Sequence, residues 1–103
     1  IKKINFGTIK ITGASSSYKS TLGNNTSSRI ENWGTINVSE HGRFILDSGS
    51  STLINYPGGT ITNAGEMEIR NNATFTNNGT TSGTAPTNGA GGSGTVSGTA
   101  WGQ

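Results

Sequence analysis

The sequence predicts an all-β chain folded as a short β-solenoid of about three coils, and three observations carry the prediction. First, an apolar–x–Asn–x–Gly phrase recurs as Ile30-Glu-Asn32-Trp-Gly34, Ile61-Thr-Asn63-Ala-Gly65 and Phe75-Thr-Asn77-Asn-Gly79. A further copy, Ile54-Asn55-Tyr-Pro-Gly-Gly59, has a lengthened turn. Second, the words Gly-Thr-Ile return at Gly7, Gly34 and Gly59, spacings in the twenties that suit one turn of a solenoid. Third, apolar residues make up only 28% of the chain and charged residues 12%, against roughly half and a quarter in ordinary domains. A thick globular core is therefore excluded. Disorder goes with high net charge and unpatterned polarity. The net charge here is only +2 and the apolar residues alternate, so a thin repetitive β structure fits.

The elements follow in order. Residues 4–12 alternate after Gly7, with Ile9 and Ile11 on the inner side and Thr8, Lys10 and Thr12 on the outer. Ala14 to Ser28 is rich in Ser, Asn and Gly, with isolated Tyr18 and Leu22, and reads as a corner loop. Ile36 and Val38 face inward, with Thr35, Asn37 and Ser39 outward. Phe44-Ile45-Leu46 places apolar bulk on both faces of one strand. Short strands follow around Leu53, Ile61, Met67-Ile69 and Phe75, each bounded by Gly or Asn, the residues that reach positive φ most cheaply. No window has helical periodicity, and the Gly, Asn, Thr and Ser content opposes helix. Residues 1–82 form the repeat region. Residues 83–103 form a Gly/Thr/Ser-rich tail or linker, with Thr95-Val-Ser97 and Trp101 offering one more strand or a clasp. Evenly spaced short strands also suit a β-sandwich or jelly roll, the competing architecture. Repetition of the corner residues themselves favours stacked coils, in which like side chains hydrogen-bond as ladders.

Composition also narrows function. The seven Lys and Arg residues are scattered, adjacent only at Lys2-Lys3, which argues against a nucleic-acid partner. With no cysteine, disulfides, thiolate metal sites and cysteine nucleophiles are excluded. No apolar run approaches the roughly 20 residues of a membrane-spanning helix, so no membrane insertion is expected. The chain opens on Ile1 without Met or a signal-like segment, as in a processed chain or an excised segment.

Candidate chemistry is sparse. His41, beside Glu40 and near Asp47, lacks the second and third ligands of a metal site and reads as a corner residue. Glu66 and Glu68 share one strand face with Arg70, a solvated face and not the opposed carboxylates of a glycosidase. Trp33 and Tyr56 hold comparable positions beside corner glycines. They would meet on successive coils, either as a platform for sugar rings or as a ladder shielding the core. Thr60-Ile-Thr62 and Thr74-Phe-Thr76 are similar to the outward threonines of some ice-binding solenoids, although outward Thr is also a good strand residue. Asn24, Asn25, Asn37, Asn72 and Asn78 begin Asn-x-Ser/Thr sequons. No phosphate loop, catalytic triad or cofactor motif is present, so neither an enzyme nor a cofactor is expected.

The Asn-x-Gly-Thr-Ile and Gly-x-Met-x-Ile phrasing over about residues 4–82 resembles the repeats of β-helical bacterial surface adhesins, of the filamentous-haemagglutinin-like and autotransporter kinds, and of phage tail proteins. The resemblance implies an exported scaffold, at the cell surface, outside the cell or on a virion tail. It carries over no site residue. A stack of about three coils has two ends to satisfy. The expected function is therefore a self-assembling fibre, shaft or stalk subunit, a homo-oligomer or filament joined through Ile4, Phe6, Phe44, Ile45, Leu46 and Trp101. The alternative is a module that binds cell-surface carbohydrate through Trp33 and Tyr56. Ice binding and a fragment of a polysaccharide-lyase-type β-helix are remoter readings.

Overall fold

A computed structural model describes residues 2–13, 20–24, 29–87 and 94–102, with backbone alone at 20–24. The expected Ala14–Ser28 corner loop is corrected at Ser20–Asn24, which form a strand of the coil paired with Gly42–Leu46; the rest of it, with Tyr18 and the Asn25 sequon, lies outside these residues, as do residues 88–93 of the tail.

Twelve short strands and no helix form among the described residues. The first coil is β1 (Lys2–Asn5), β2 (Thr8–Ile11) and β3 (Ser20–Asn24). The second is β4 (Arg29–Asn32), β5 (Thr35–Val38) and β6 (Gly42–Asp47), and the third is β7 (Thr52–Asn55), β8 (Thr60–Asn63) and β9 (Glu66–Arg70). A partial fourth follows, with β10 (Thr74–Asn77), β11 (Thr80–Gly83) and Thr87 bridged to Glu68; then comes β12 (Thr95–Gly98). Every pairing is parallel, giving three sheets in the orders β1-β4-β7-β10-β12, β2-β5-β8-β11 and β3-β6-β9. This is the predicted β-solenoid of about three turns; the sandwich alternative, built from antiparallel sheets, is set aside.

The alternation in sequence becomes columns in space. Ile30, Leu53 and Phe75 stack on the first sheet, Ile9, Ile36 and Ile61 on the second, and Phe44 and Met67 on the third. Ile11, Val38, Leu46, Ile69 and Ala73 complete a core that is almost wholly buried. Each of these side chains larger than Ala73 contributes roughly 1.5–3 kcal/mol by leaving water. The predicted inward positions Ile9, Ile11, Ile36 and Val38 are all on this side. Phe44 and Leu46 are fully buried in the chain's own core. Ile45 faces the other way, as expected of bulk on both faces, yet is only 8% exposed.

Asparagine turns the corners, by a mechanism seen in its hydrogen bonds. The Asn5, Asn63 and Asn77 Oδ1 atoms accept from the backbone N–H two residues on, at Gly7 (3.2 Å), Gly65 (3.0 Å) and Gly79 (3.2 Å). The four sequence copies do not, however, share one corner. Asn32, Asn55 and Asn77 end strands of the first sheet, whereas Asn63 ends β8 of the second. The same local turn serves two sides of the coil.

The glycines also act differently from expectation. Gly34 and Gly79 are not at positive φ. A Cβ on Gly34 would lie 2.2 Å from Gly7 O, and one on Gly79 would lie 2.4 Å from Gly59 O. Close stacking of one corner on the next, not a left-handed backbone, requires glycine there. Positive φ falls instead at Asn71 and Asn72, at 54° and 65°, and at Gly58, Gly83, Gly98 and Gly102.

Candidate functional site

Two features merit examination as sites: the corner after the first sheet, and the two ends of the stack. At the corner, Asn5, Asn32, Asn55 and Asn77 lie in one column. Each Nδ2 donates to the next Oδ1 at 2.9 Å, from Asn5 to Asn32, Asn32 to Asn55 and Asn55 to Asn77. Burial of an unpaired amide costs several kcal/mol. These amides are paired: Asn32 and Asn55 also donate to Thr60 O and Thr80 O, and Asn77 closes the column by donating to Thr99 O at 3.1 Å.

The residue after each of the first three asparagines is aromatic. Trp33 stacks on Tyr56 with centroids 4.0 Å apart and planes 4° apart, so the expected adjacency on successive coils is realised. Phe6 extends the stack, 6.3 Å from Trp33 at 22°. The sequence signal for Phe6 was the frame Asn5-Phe6-Gly7, which matches Asn32-Trp33-Gly34. In this column Trp33 has a ring against each of its faces and presents edges outward. A sugar platform needs a free face, which Trp33 lacks; Phe6, at the end of the stack, is 75% exposed.

Charges brace the corner. Arg29 Nε donates to Glu31 Oε2 at 2.7 Å, its Nη2 donates to Tyr56 Oη at 3.0 Å, and Lys2 Nζ lies 3.6 Å from Glu31 Oε2. The hydrogen bond from Arg29 holds the Glu31 carboxyl below its ordinary range, against the opposite push of burial. The same bond, with that to Tyr56, raises the Arg29 guanidinium.

On the third sheet, Glu66 and Glu68 are bridged across coils and do not simply repel. Arg43 Nε lies 2.8 Å from Glu66 Oε2 and its Nη2 3.2 Å from Glu68 Oε2. Arg70 reaches Glu68 at 3.3 Å and Asp47 at 2.9 Å, and Asn71 also donates to Asp47. Arg70 first and Asn71 second hold the Asp47 carboxyl low. Register explains the network, since Arg43 pairs with Glu66 and Asp47 with Arg70. His41 sits half-buried in the turn before β6. No group of three metal-capable side chains occurs among the described residues.

The two Thr-x-Thr words fall on different sheets, Thr60 and Thr62 on the second and Thr74 and Thr76 on the first. Thr8, Thr35, Thr60 and Thr80 form one column, but Lys10, Asn37, Thr62 and Ser82 form its neighbour. No flat array of paired threonines runs the height of either sheet. Asn72 and Asn78, which begin sequons, are exposed at corners, and Asn37 is half-buried on the second sheet.

The ends differ. At the C-terminal end, β12 adds in parallel to β10. Trp101 then folds over Phe75, edge-on at 6.3 Å, and its Nε1 donates to Gly83 O at 3.0 Å. Trp101 is thus a clasp within the chain and not a free contact. At the N-terminal end, Ile4, Ile9, Ile30, Ile36 and Phe44, with Lys3 and Asn5, line an apolar cavity of about 150 Å³. It exists because Lys3 occupies the column that Ile30, Leu53 and Phe75 fill in later coils. Ile4 is 49% exposed. Neither the sequence nor the structure of this chain matches any protein-family model, curated protein or solved structure with which it was compared.

Proposed function

We propose that this chain is a structural module, a rigid block of a stacked β-coil shaft of the fibre or surface-stalk kind, outside the cell, with no catalytic role. One observation carries the reading: a buried asparagine column joins successive coils, each Nδ2 donating to the next Oδ1 at 2.9 Å from Asn5 through Asn32 and Asn55 to Asn77. Trp101 covers Phe75 at the C-terminal end, whereas the N-terminal end exposes Ile4, Phe6 and an apolar cavity. The side-chain networks support rigidity, since the amide column and the Arg–Glu bridges tie coils to their neighbours.

Carbohydrate binding has no comparable support, because Trp33 and Tyr56 spend their facing surfaces on each other.

Immunogold electron microscopy of the source material, with antibody against this chain, tests the reading. Label on surface projections or fibres is expected. Label confined to the cell interior would overturn it.

A further inference from the structure

We infer that Asn78 is a modification site whose side-chain amide carries an N-linked sugar, laid along the aromatic corner of the coil. The inference rests on the reading of the chain as an exported shaft module, and it names the group that the side of the shaft presents.

Three sequons have asparagines with described side chains, and the fold separates them. Asn37-Val-Ser39 begins inside β5, which lies within its sheet between β2 and β8. Asn37 is half-buried between Lys10 and Thr62 of the neighbouring strands, and Ser39 Oγ is spent on Ile11 O at 2.9 Å. A transferase reads the amide and the hydroxyl two residues on, and it reads them on surface loops. Asn72-Ala-Thr74 and Asn78-Gly-Thr80 meet that condition better, with both asparagines exposed at corners. Asn72 packs against the corner of the coil before, its Cβ 3.5 Å from where a Cβ on Gly49 would lie.

Asn78 differs in what stands beside it. It follows Asn77 as Phe6, Trp33 and Tyr56 follow Asn5, Asn32 and Asn55, so it holds the next place in the ring column. Its backbone N–H donates to Asn55 O at 2.7 Å, which seats it directly on the Tyr56 coil. Trp33 covers one face of Tyr56, with centroids 4.0 Å apart and planes 4° apart, and the opposite face turns toward Asn78. A pyranose offers a face of C–H groups that packs on an aromatic face. A sugar on Asn78 therefore continues the stack at the point where the side chains cease to be aromatic. The attachment leaves the fold intact, because the buried amide column uses Asn77 and the Asn78 side chain points out of the flank. Thr80, the sequon hydroxyl, is exposed as well.

The reaction is a glycosyl transfer from a sugar diphosphate, carried out by a transferase of the producing cell. Asn78 Nδ2 attacks the anomeric carbon. The C–N bond forms as the C–O bond to the diphosphate breaks, the diphosphate leaves with the bonding pair, and one amide proton passes to a base of the transferase. The product is a bulky, hydrated group on the surface of the shaft.

Glycopeptide mass spectrometry of the protein purified from its source tests the inference. A hexose or N-acetylhexosamine mass is expected on the peptide that contains Asn78, with Asn37 unmodified. A single hexose would identify a nucleotide-linked donor, and an oligosaccharide a lipid-linked one. Thr80→Ala keeps Asn78 and removes the sequon hydroxyl, so it should abolish the added mass, and Thr80→Ser should retain it. The sugar-bearing protein should melt about 3 °C above the same chain made without the transferase, and the difference should vanish in Tyr56→Ala. Unmodified Asn78, added mass surviving Thr80→Ala, modification of Asn37 in preference to Asn78, or a melting difference that survives Tyr56→Ala would each overturn the inference. Unmodified Asn78 on protein that labels surface fibres would sink this inference alone, and modified Asn78 on protein confined to the cell interior would sink the shaft reading alone.

Discussion

The first and last coils are built from the same parallel strands, yet they solve the problem of an end in opposite ways. At the C-terminal end the chain spends an extra strand, β12, and an aromatic clasp, Trp101, to cover Phe75 and close the amide column on Thr99 O. At the N-terminal end of the described residues the column begins at Asn5, Lys3 stands where later coils place an apolar residue, and Phe6 is 75% exposed. The lesson is that a solenoid's repeating unit stabilises only what lies between two neighbours; each end depends on residues that break the repeat.

The largest expected effect comes from breaking the middle, where neither end helps. Asn55→Ala removes a fully buried amide that accepts from Asn32 and donates to Asn77 and Thr80, leaving several groups unpaired. A loss of about 3 kcal/mol or more is expected in urea unfolding. That is a large share of the roughly 5–15 kcal/mol that holds a domain together. Asn5→Ala, at the unfilled end of the same column, should cost about 1 kcal/mol. Equal losses at the two positions would mean that the ladder does not act through its neighbours.

Next in size is the closed end. Trp101→Ala should destabilise by about 2 kcal/mol, less than a fully buried Trp because the ring is only half-buried. It should also raise binding of a hydrophobic dye as Phe75 is uncovered. Acid comes third. The Glu31 and Asp47 carboxyls are both depressed by arginine hydrogen bonds. Their stabilisation is present above the unfolded carboxylate range near 4 and is lost as pH falls through the lower folded values. Thermal melts should therefore be level from about pH 7 to 5 and decline below about pH 4. The smallest effect is expected at the open end, where Phe6→Ala should shift stability by no more than about 0.5 kcal/mol.

Much of this architecture is legible in the chain because a solenoid is local in sequence and periodic. Alternation names the inward face of β2 and β5, and the Asn-x-Gly phrase names the corners. The common frame of Trp33 and Tyr56 anticipates their stacking. What stays hidden depends on register. The phrase at Asn63 is as good as that at Asn32, and nothing local says which side of the coil it turns. The pairing of Arg43 with Glu66 requires a strand offset that sequence spacing alone leaves open. Phe44 and Leu46 look like surplus apolar surface until the third sheet turns them inward. Trp101 follows a Gly-rich stretch that reads as a linker, and its packing partner, Phe75, is a whole coil away. The amide column is fainter still, because the Asn-x-Gly phrase does not say which asparagines share a side of the coil.

The central claim is that the two ends of the stack differ, and native-state amide hydrogen exchange tests it most directly. Protection should be greatest in β7 and β10, remain substantial in β12 beneath the Trp101 clasp, and be least in β1 and β2. Protection of β1 and β2 equal to that of β10 would contradict the account, because it would show that the N-terminal coil is already complete.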